Sequence, residues 1–140
     1  MVISAHPQEA IRNLLARYNW CGDNGDYEGF LDCFTEDGVL DLKGIAIYRG
    51  RDEIRVGLDS GFGAGAEHRE RLRLIGRLAH HVSSVRIEMQ SPAEARTWSY
   101  FAVVGASGWD HWGRYTDQLV CIEGHWLLTY RRVSIDGRAG

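Results

Sequence analysis

Two places in the chain hold residue types that could move a proton. One is Tyr18-Asn19-Trp20-Cys21-Gly22-Asp23-Asn24-Gly25-Asp26, which sets a phenol and a carboxylate at the end of an apolar helix, just before a turn. The other is Ala79-His80-His81-Val82, far downstream. A carboxylate drawn into a pocket can hold a neutral imidazole in one tautomer, leaving the second ring nitrogen to take up an acidic proton. An arginine or phenol across the pocket can stabilise charge developing on an enolate, alkoxide or halide. Such a set suits β-elimination or isomerisation beside an activating group, and it requires neither metal nor other cofactor.

The elements that must position these groups follow from periodicity. Pro7 suits a first helical turn, where its missing amide had no partner anyway. Ala10, Ile11, Leu14, Leu15 and Tyr18 recur at helical spacing, with Arg12, Asn13 and Arg17 between them, which predicts an amphipathic helix over about residues 7–22. Five residues turn ~140° around an ideal helix, so Tyr18 and Asp23 share a pocket only if the helix bends or ends near Gly22. Asp26 can cap a second helix carrying Tyr27, Phe30, Leu31 and Phe34, closed by Thr35-Glu36-Asp37-Gly38, and the pair forms an αα-hairpin. Short strands are expected around Gly44, at Val39-Leu40-Asp41-Leu42 and Ile45-Ala46-Ile47-Tyr48. Gly50-Arg51-Asp52-Glu53 opens a third helix, and Ser60-Gly61-Phe62-Gly63-Ala64-Gly65 reads as a loop with the glycine content of a flap.

From about Leu78 the pattern changes to long strands. Val82 to Met89, Ala95 to Val104, His111 to Ile122 and His125 to Ile135 are separated by turn signals, which predicts an antiparallel meander. Helices first and a curved sheet afterwards make an α+β domain, with a pocket where the sheet curls around the helices. Strict alternation groups His81 with Ser83, Val85, Ile87 and Met89, and His80 with Val82, Ser84, Arg86 and Glu88. Parity thus favours His81 as the inward residue; a bulge or a polar-lined concave face would allow His80 to point inward instead. In the last strand Arg131 shares parity with His125, Leu127 and Thr129. His111 and His125 lie outside any metal-ligand spacing and read as strand residues. Trp98, Trp109, Trp112 and Trp126 suggest an aromatic-lined cavity or a buried subunit face.

At 140 residues, 44% hydrophobic and 25% charged, the chain fits one globular domain. A net charge of −3 invites neither nucleic acid nor an anionic membrane. The basic run Arg69-Glu70-Arg71-Leu72-Arg73 is diluted by acids and reads as a solvated face. No stretch approaches the ~18 apolar residues of a membrane span, and Met1 to His6 lacks the look of a leader. Cys21, Cys33 and Cys121 are odd in number and lack paired spacing, so neither a disulfide framework nor a zinc site is expected, and a reducing cytoplasm is the default location.

Order, length and local motifs together resemble the nuclear transport factor 2-like superfamily, in its SnoaL-like branch. The resemblance is carried by Tyr18 to Asp26 followed by Phe34-Thr35-Glu36-Asp37-Gly38, by Tyr48-Arg49-Gly50-Arg51-Asp52-Glu53-Ile54, by His80 to Ile87, by Glu123 to Leu128 and by Arg131-Arg132-Val133. It implies a cone-shaped fold, with N-terminal helices packed on the concave face of a curved, mainly antiparallel sheet. Within that branch the chain is similar to scytalone dehydratase, bile acid 7α-dehydratase and hexachlorocyclohexane dehydrochlorinase, cofactor-free enzymes that use an Asp–His pair inside the cone.

By that resemblance Asp23 matches the aspartate and His80 the histidine, with His81 as the fallback and a lining residue. Tyr18 matches a contributing tyrosine five residues before the aspartate. Arg131 matches an arginine five residues after the last-strand tryptophan. Tyr115 falls at a pocket-lining position, and Val103, Val104 and Gly105 stand where scytalone dehydratase carries a second histidine, with Val103 taken as a substrate-binding position. The implied function is a lyase, a dehydratase or related elimination, or an isomerase, acting on a hydrophobic cyclic small molecule, in a homo-oligomer of two or three chains. The same fold also hosts non-catalytic proteins, such as the small subunit of ring-hydroxylating dioxygenases, and plain ligand binders.

Overall fold

Helix α1 (Pro7–Asn24) begins on its proline and runs past Gly22 without interruption. It stops where Gly25 adopts a left-handed φ of 72°, and the amides of Gly25 and Asp26 close on the carbonyls of Gly22 and Cys21. Asp26 then caps α2 (Tyr27–Leu31), its carboxylate accepting the Gly29 amide at 2.9 Å. A glycine is needed there, since a Cβ would meet Asp26 Oδ2 and Cys21 Sγ at 2.6 Å. The second helix is shorter than its apolar spacing suggests. Phe34 is fully buried and pairs with Leu128, so it opens strand β1 (Phe34–Leu42), and Thr35 to Gly38 are strand rather than a helix end. Tertiary pairing has overridden local periodicity.

In this computed structural model residues 6–62 and 77–140 are described. Residues Met1 to Ala5, the glycines Gly63 and Gly65 of the expected flap, and the basic run Arg69 to Arg73 lie outside them. After β2 (Ala46–Arg49) and α3 (Gly50–Asp59) come four long strands, β3 (Ala79–Ser91), β4 (Glu94–Gly105), β5 (Gly108–Ile122) and β6 (His125–Arg138). The sheet order is β2-β1-β6-β5-β4-β3. Strands β3 to β6 form the expected antiparallel meander, β2 pairs antiparallel with β1, and β1 joins β6 in parallel. The architecture is α+β, helices on a curved sheet. Ile11, Leu14, Leu15 and Tyr18 of α1 are buried in one core with Phe34, Leu40, Phe101, Leu119 and Leu128 of the sheet. Among the described residues no helix is long and apolar enough to cross a membrane.

Bulges decide which strand residues face that core. In β3, Ser83 pairs with Tyr100 and Arg86 with Trp98, so β3 carries one residue more than β4 there. Ser84 takes a φ of 52° at this point. Val82 packs on the core before the bulge, and Val85, Ile87 and Met89 pack on it after. In β5 the extra residue is Asp110, between the pairs Val103–His111 and Val104–Trp109. In β6 it is Thr129, between Leu119–Leu128 and Gln118–Tyr130. Trp126, Leu128 and Arg131 are therefore all buried, against the unbroken alternation that groups Arg131 with His125, Leu127 and Thr129.

Candidate active site

A cavity of about 540 Å³ opens between α1 and the sheet, a volume suited to a small organic ligand. Four residues of α1 line it: Tyr18, Asn19, Gly22 and Asp23. At ~100° per residue they stand at ~0°, 100°, 40° and 140° around the helix. The cavity thus takes in a broad arc of the helix, and Gly22, in the middle, contributes no side chain to fill it. Helix α1 continues only two residues past Gly22 before its Gly25 cap, so it ends near Gly22, and Tyr18 and Asp23 both line the cavity.

Asp23 and His80 meet across this wall. The carboxylate Oδ1 lies 2.7 Å from His80 Nδ1, and Oδ2 accepts the main-chain amide of His80 at 3.0 Å. Both oxygens are thus held by one residue, which restrains the carboxylate from rotating. The Asp23 side chain is 10% exposed and that of His80 30%. A carboxylate accepts only, so Nδ1 carries the shared hydrogen, and in the neutral form of the ring the lone pair is on Nε2. His81, on the other side of β3, is exposed and does not line the cavity. The bulge at Ser84 explains this orientation: it sets the parity of His80 and Val82 opposite to that of Val85, Ile87 and Met89.

On the concave face, His80 neighbours Val103, and Val103 neighbours His111 on the next strand. All three line the cavity, and Val103 is fully buried. The imidazoles of His80 and His111 stand perpendicular with centroids 6.4 Å apart, and Phe101 packs 6.1 Å from one and 5.9 Å from the other. His111 Nδ1 lies 2.8 Å from Oδ2 of Asp110, a second Asp–His pair whose histidine lines the cavity. Adjacent residues on a regular strand point to opposite faces, and the bulge at Asp110 lets these two meet. From the sequence His111 reads as an ordinary strand residue. The available signal was its register opposite Val103, which depends on pairing that the sequence does not display.

Tyr115 is buried, lines the cavity and stacks on Phe101 at 4.6 Å, and its hydroxyl donates to Asn19 Oδ1 at 3.3 Å. Arg131 is placed elsewhere. Its guanidinium is fully buried behind the cavity wall, 4.3 Å from the Tyr18 ring and 3.8 Å from the Tyr115 ring. Nε and Nη2 bind Asp117 at 2.7 and 2.9 Å, and Thr97 donates to the same carboxylate at 2.8 Å. Burial opposes the arginine's charge, but Asp117 more than offsets this and the net shift is upward. Burial pushes the Tyr18 phenol up to about 12, against the pull of Arg131, and pushes Tyr115 well above its ordinary value. Both phenols therefore stay protonated at neutral pH. The structure brings Asp23, His80, Tyr18, Tyr115 and Val103 to one cavity, and brings neither Arg131 nor His81 there. Among the described residues no group of three or more His, Cys, Asp or Glu side chains is gathered to hold a metal ion.

Comparisons with known proteins agree with this architecture. The sequence model of the SnoaL-like domain matches residues 4–132. Among curated proteins nothing matches. A protein of unknown function with a cystatin-like fold from Nostoc punctiforme is 27% identical, with a TM-score of 0.77 over 97% of this chain and 96% of that one. An NTF2-like protein with a cystatin-like fold from Novosphingobium aromaticivorans is 26% identical, with a TM-score of 0.78 over 94% and 84%. A hexachlorocyclohexane dehydrochlorinase of type 2 is 13% identical, with a TM-score of 0.78 over 95% and 87%, a likeness of fold alone.

Proposed function

We propose that this chain, which belongs to the SnoaL-like domain family, is a lyase or isomerase that removes a proton from carbon in an apolar cyclic molecule. The observation that carries the reading is the two-point hold of Asp23 on His80 at the wall of a mainly apolar cavity. Nε2 of His80 takes the proton from a carbon made acidic by a neighbouring electron-withdrawing group. The C–H electron pair becomes the π bond of the product, and Asp23 stabilises the imidazolium. In an elimination the leaving group departs with its bonding electrons, and His111, one strand beyond Val103, is suited to protonate a leaving oxygen so that it departs as water. In an isomerisation the same proton returns to a different carbon. Both routes run on this chain's own side chains.

Incubating the protein in D2O with a panel of cyclic carbon acids, and following deuterium uptake and product by NMR, tests the reading. Asp23→Asn and His80→Ala should each lower the rate by about 10²–10⁴-fold, with the circular dichroism spectrum retained. Unchanged rates in either variant end the proposal. Ligands that bind and come back unaltered from the parent protein favour a binding module instead.

A further inference from the structure

One polar group on the cavity wall has no counterpart among the described residues. Asn19 is 7% exposed and lines the cavity, its Oδ1 accepts the Tyr115 hydroxyl, and its Nδ2 has no hydrogen-bond partner among the described residues. The Asn19–Tyr115 pair owns two N–H hydrogens and one O–H hydrogen, and only the last is used internally. Reversing the amide would make Nδ2 the donor to the phenol oxygen and free the phenol hydrogen instead. Either way a hydrogen is left over. Buried donors are nearly always paired, so one left beside a cavity calls for an acceptor from outside. The contact with Tyr115 is long for an O–H···O bond at 3.3 Å, and the terminal torsion of asparagine is soft. Nδ2 itself is covered, and the amide reaches a ligand by turning about this soft torsion.

Its position gives that acceptor a chemical identity. Asn19 and Asp23 are one turn apart on α1, with Cβ atoms about 5–6 Å from each other. His80 extends from Asp23 along the same wall. A donor so placed beside a carbon base matches a carbonyl whose neighbouring carbon carries the acidic hydrogen. As that proton leaves, charge collects on the carbonyl oxygen, where an N–H in an apolar site stabilises it most. We infer that Asn19 binds and polarises a substrate carbonyl oxygen, and that the cavity takes an apolar enolisable carbonyl compound. This rests on the reading of His80 as a carbon base and names the substrate class for that same site.

The test compares 2-tetralone, an enolisable bicyclic ketone, with tetralin, the same apolar body without oxygen. The parent protein should bind the ketone about tenfold more tightly, the worth of one well-placed hydrogen bond. The Asn19 side-chain amide protons should shift in the NMR spectrum on titration with the ketone alone. Asn19→Leu combined with Tyr115→Phe replaces both partners with apolar groups of similar shape, so it leaves no orphan and should fold. In that variant the preference should vanish. In His80→Ala it should persist while deuterium uptake by the ketone stops. Equal affinities in the parent, no binding of the ketone, or a preference that survives in the double variant each overturn the inference. A parent that prefers the ketone yet exchanges no deuterium leaves Asn19 as the carbonyl anchor and removes only the role of His80.

Discussion

Two of the carboxylate-to-base pairs on the helix-facing side of the sheet differ sharply in how far they are closed off. Asp117 and Arg131 are closed off completely, at 0% and 1% side-chain exposure. They are braced by Thr97 and by two aromatic rings. Asp23 and His80 sit at 10% and 30%, on the wall of a cavity. In the first pair the base is a guanidinium that never releases its proton in proteins. In the second it is an imidazole, a ring able both to accept and to release a proton. Full burial suits a brace. Chemistry needs a titratable group and a path for the ligand.

The contrast is broken most sharply at the buried end. Asp117→Asn leaves a guanidinium buried without its counter-charge, which should cost about 3–5 kcal/mol of stability. Asp23→Asn, which keeps a hydrogen-bonding side chain at a partly solvated position, should cost about 1 kcal/mol or less. Denaturant midpoints of the two variants check this, and equal losses would erase the distinction between brace and site.

A middle-sized effect appears in alkali. Cys33 is raised by burial from 9 to about 11, and Tyr18 by burial from 10 to about 12. The folded state holds these protons more tightly than the unfolded chain. Their contribution is therefore fully present below about pH 9 and is lost as the pH climbs through about 11 and 12. Unfolding midpoints recorded upward from about pH 8 should fall in that window, and Cys33→Ala should remove the earlier part of the decline.

The smallest effect concerns the second histidine. His111→Asn should slow loss of water by about tenfold, since solvent can also deliver a proton to a leaving oxygen. The same variant should leave loss of a halide unchanged, because that group departs without a proton. Equal slowing of both would make His111 a packing residue rather than an acid.

Much of the scaffold is legible in the residues. Pro7, the spacing of Ile11 to Tyr18, the Asp26 cap and the Glu123-Gly124 turn each speak through local rules. Phe34 marks where those rules stop: its spacing continues a helix, yet pairing with Leu128 places it in a strand. The candidate site divides in the same way. Asp23 at a helix end and a histidine at the head of a long strand can be read locally. Asn19, four residues before Asp23, looks like any polar residue on an amphipathic helix until Tyr115 and the cavity wall surround it.

What the sequence determined by itself was the list of elements and the residue types able to carry proton chemistry, because turns, caps and periodicity act over a few residues. Which of those residues face one another was decided only by the tertiary structure. Alternation gives a strand two faces but assumes an unbroken ladder, and one extra residue exchanges them. The bulge at Ser84 lets His80 and Val85 share the concave face, the one at Thr129 turns Arg131 into the core, and the one at Asp110 joins that residue to His111. Each arises from pairing with a distant strand, so the Asp23–His80 pair and the cavity it borders exist only once the sheet has closed around α1.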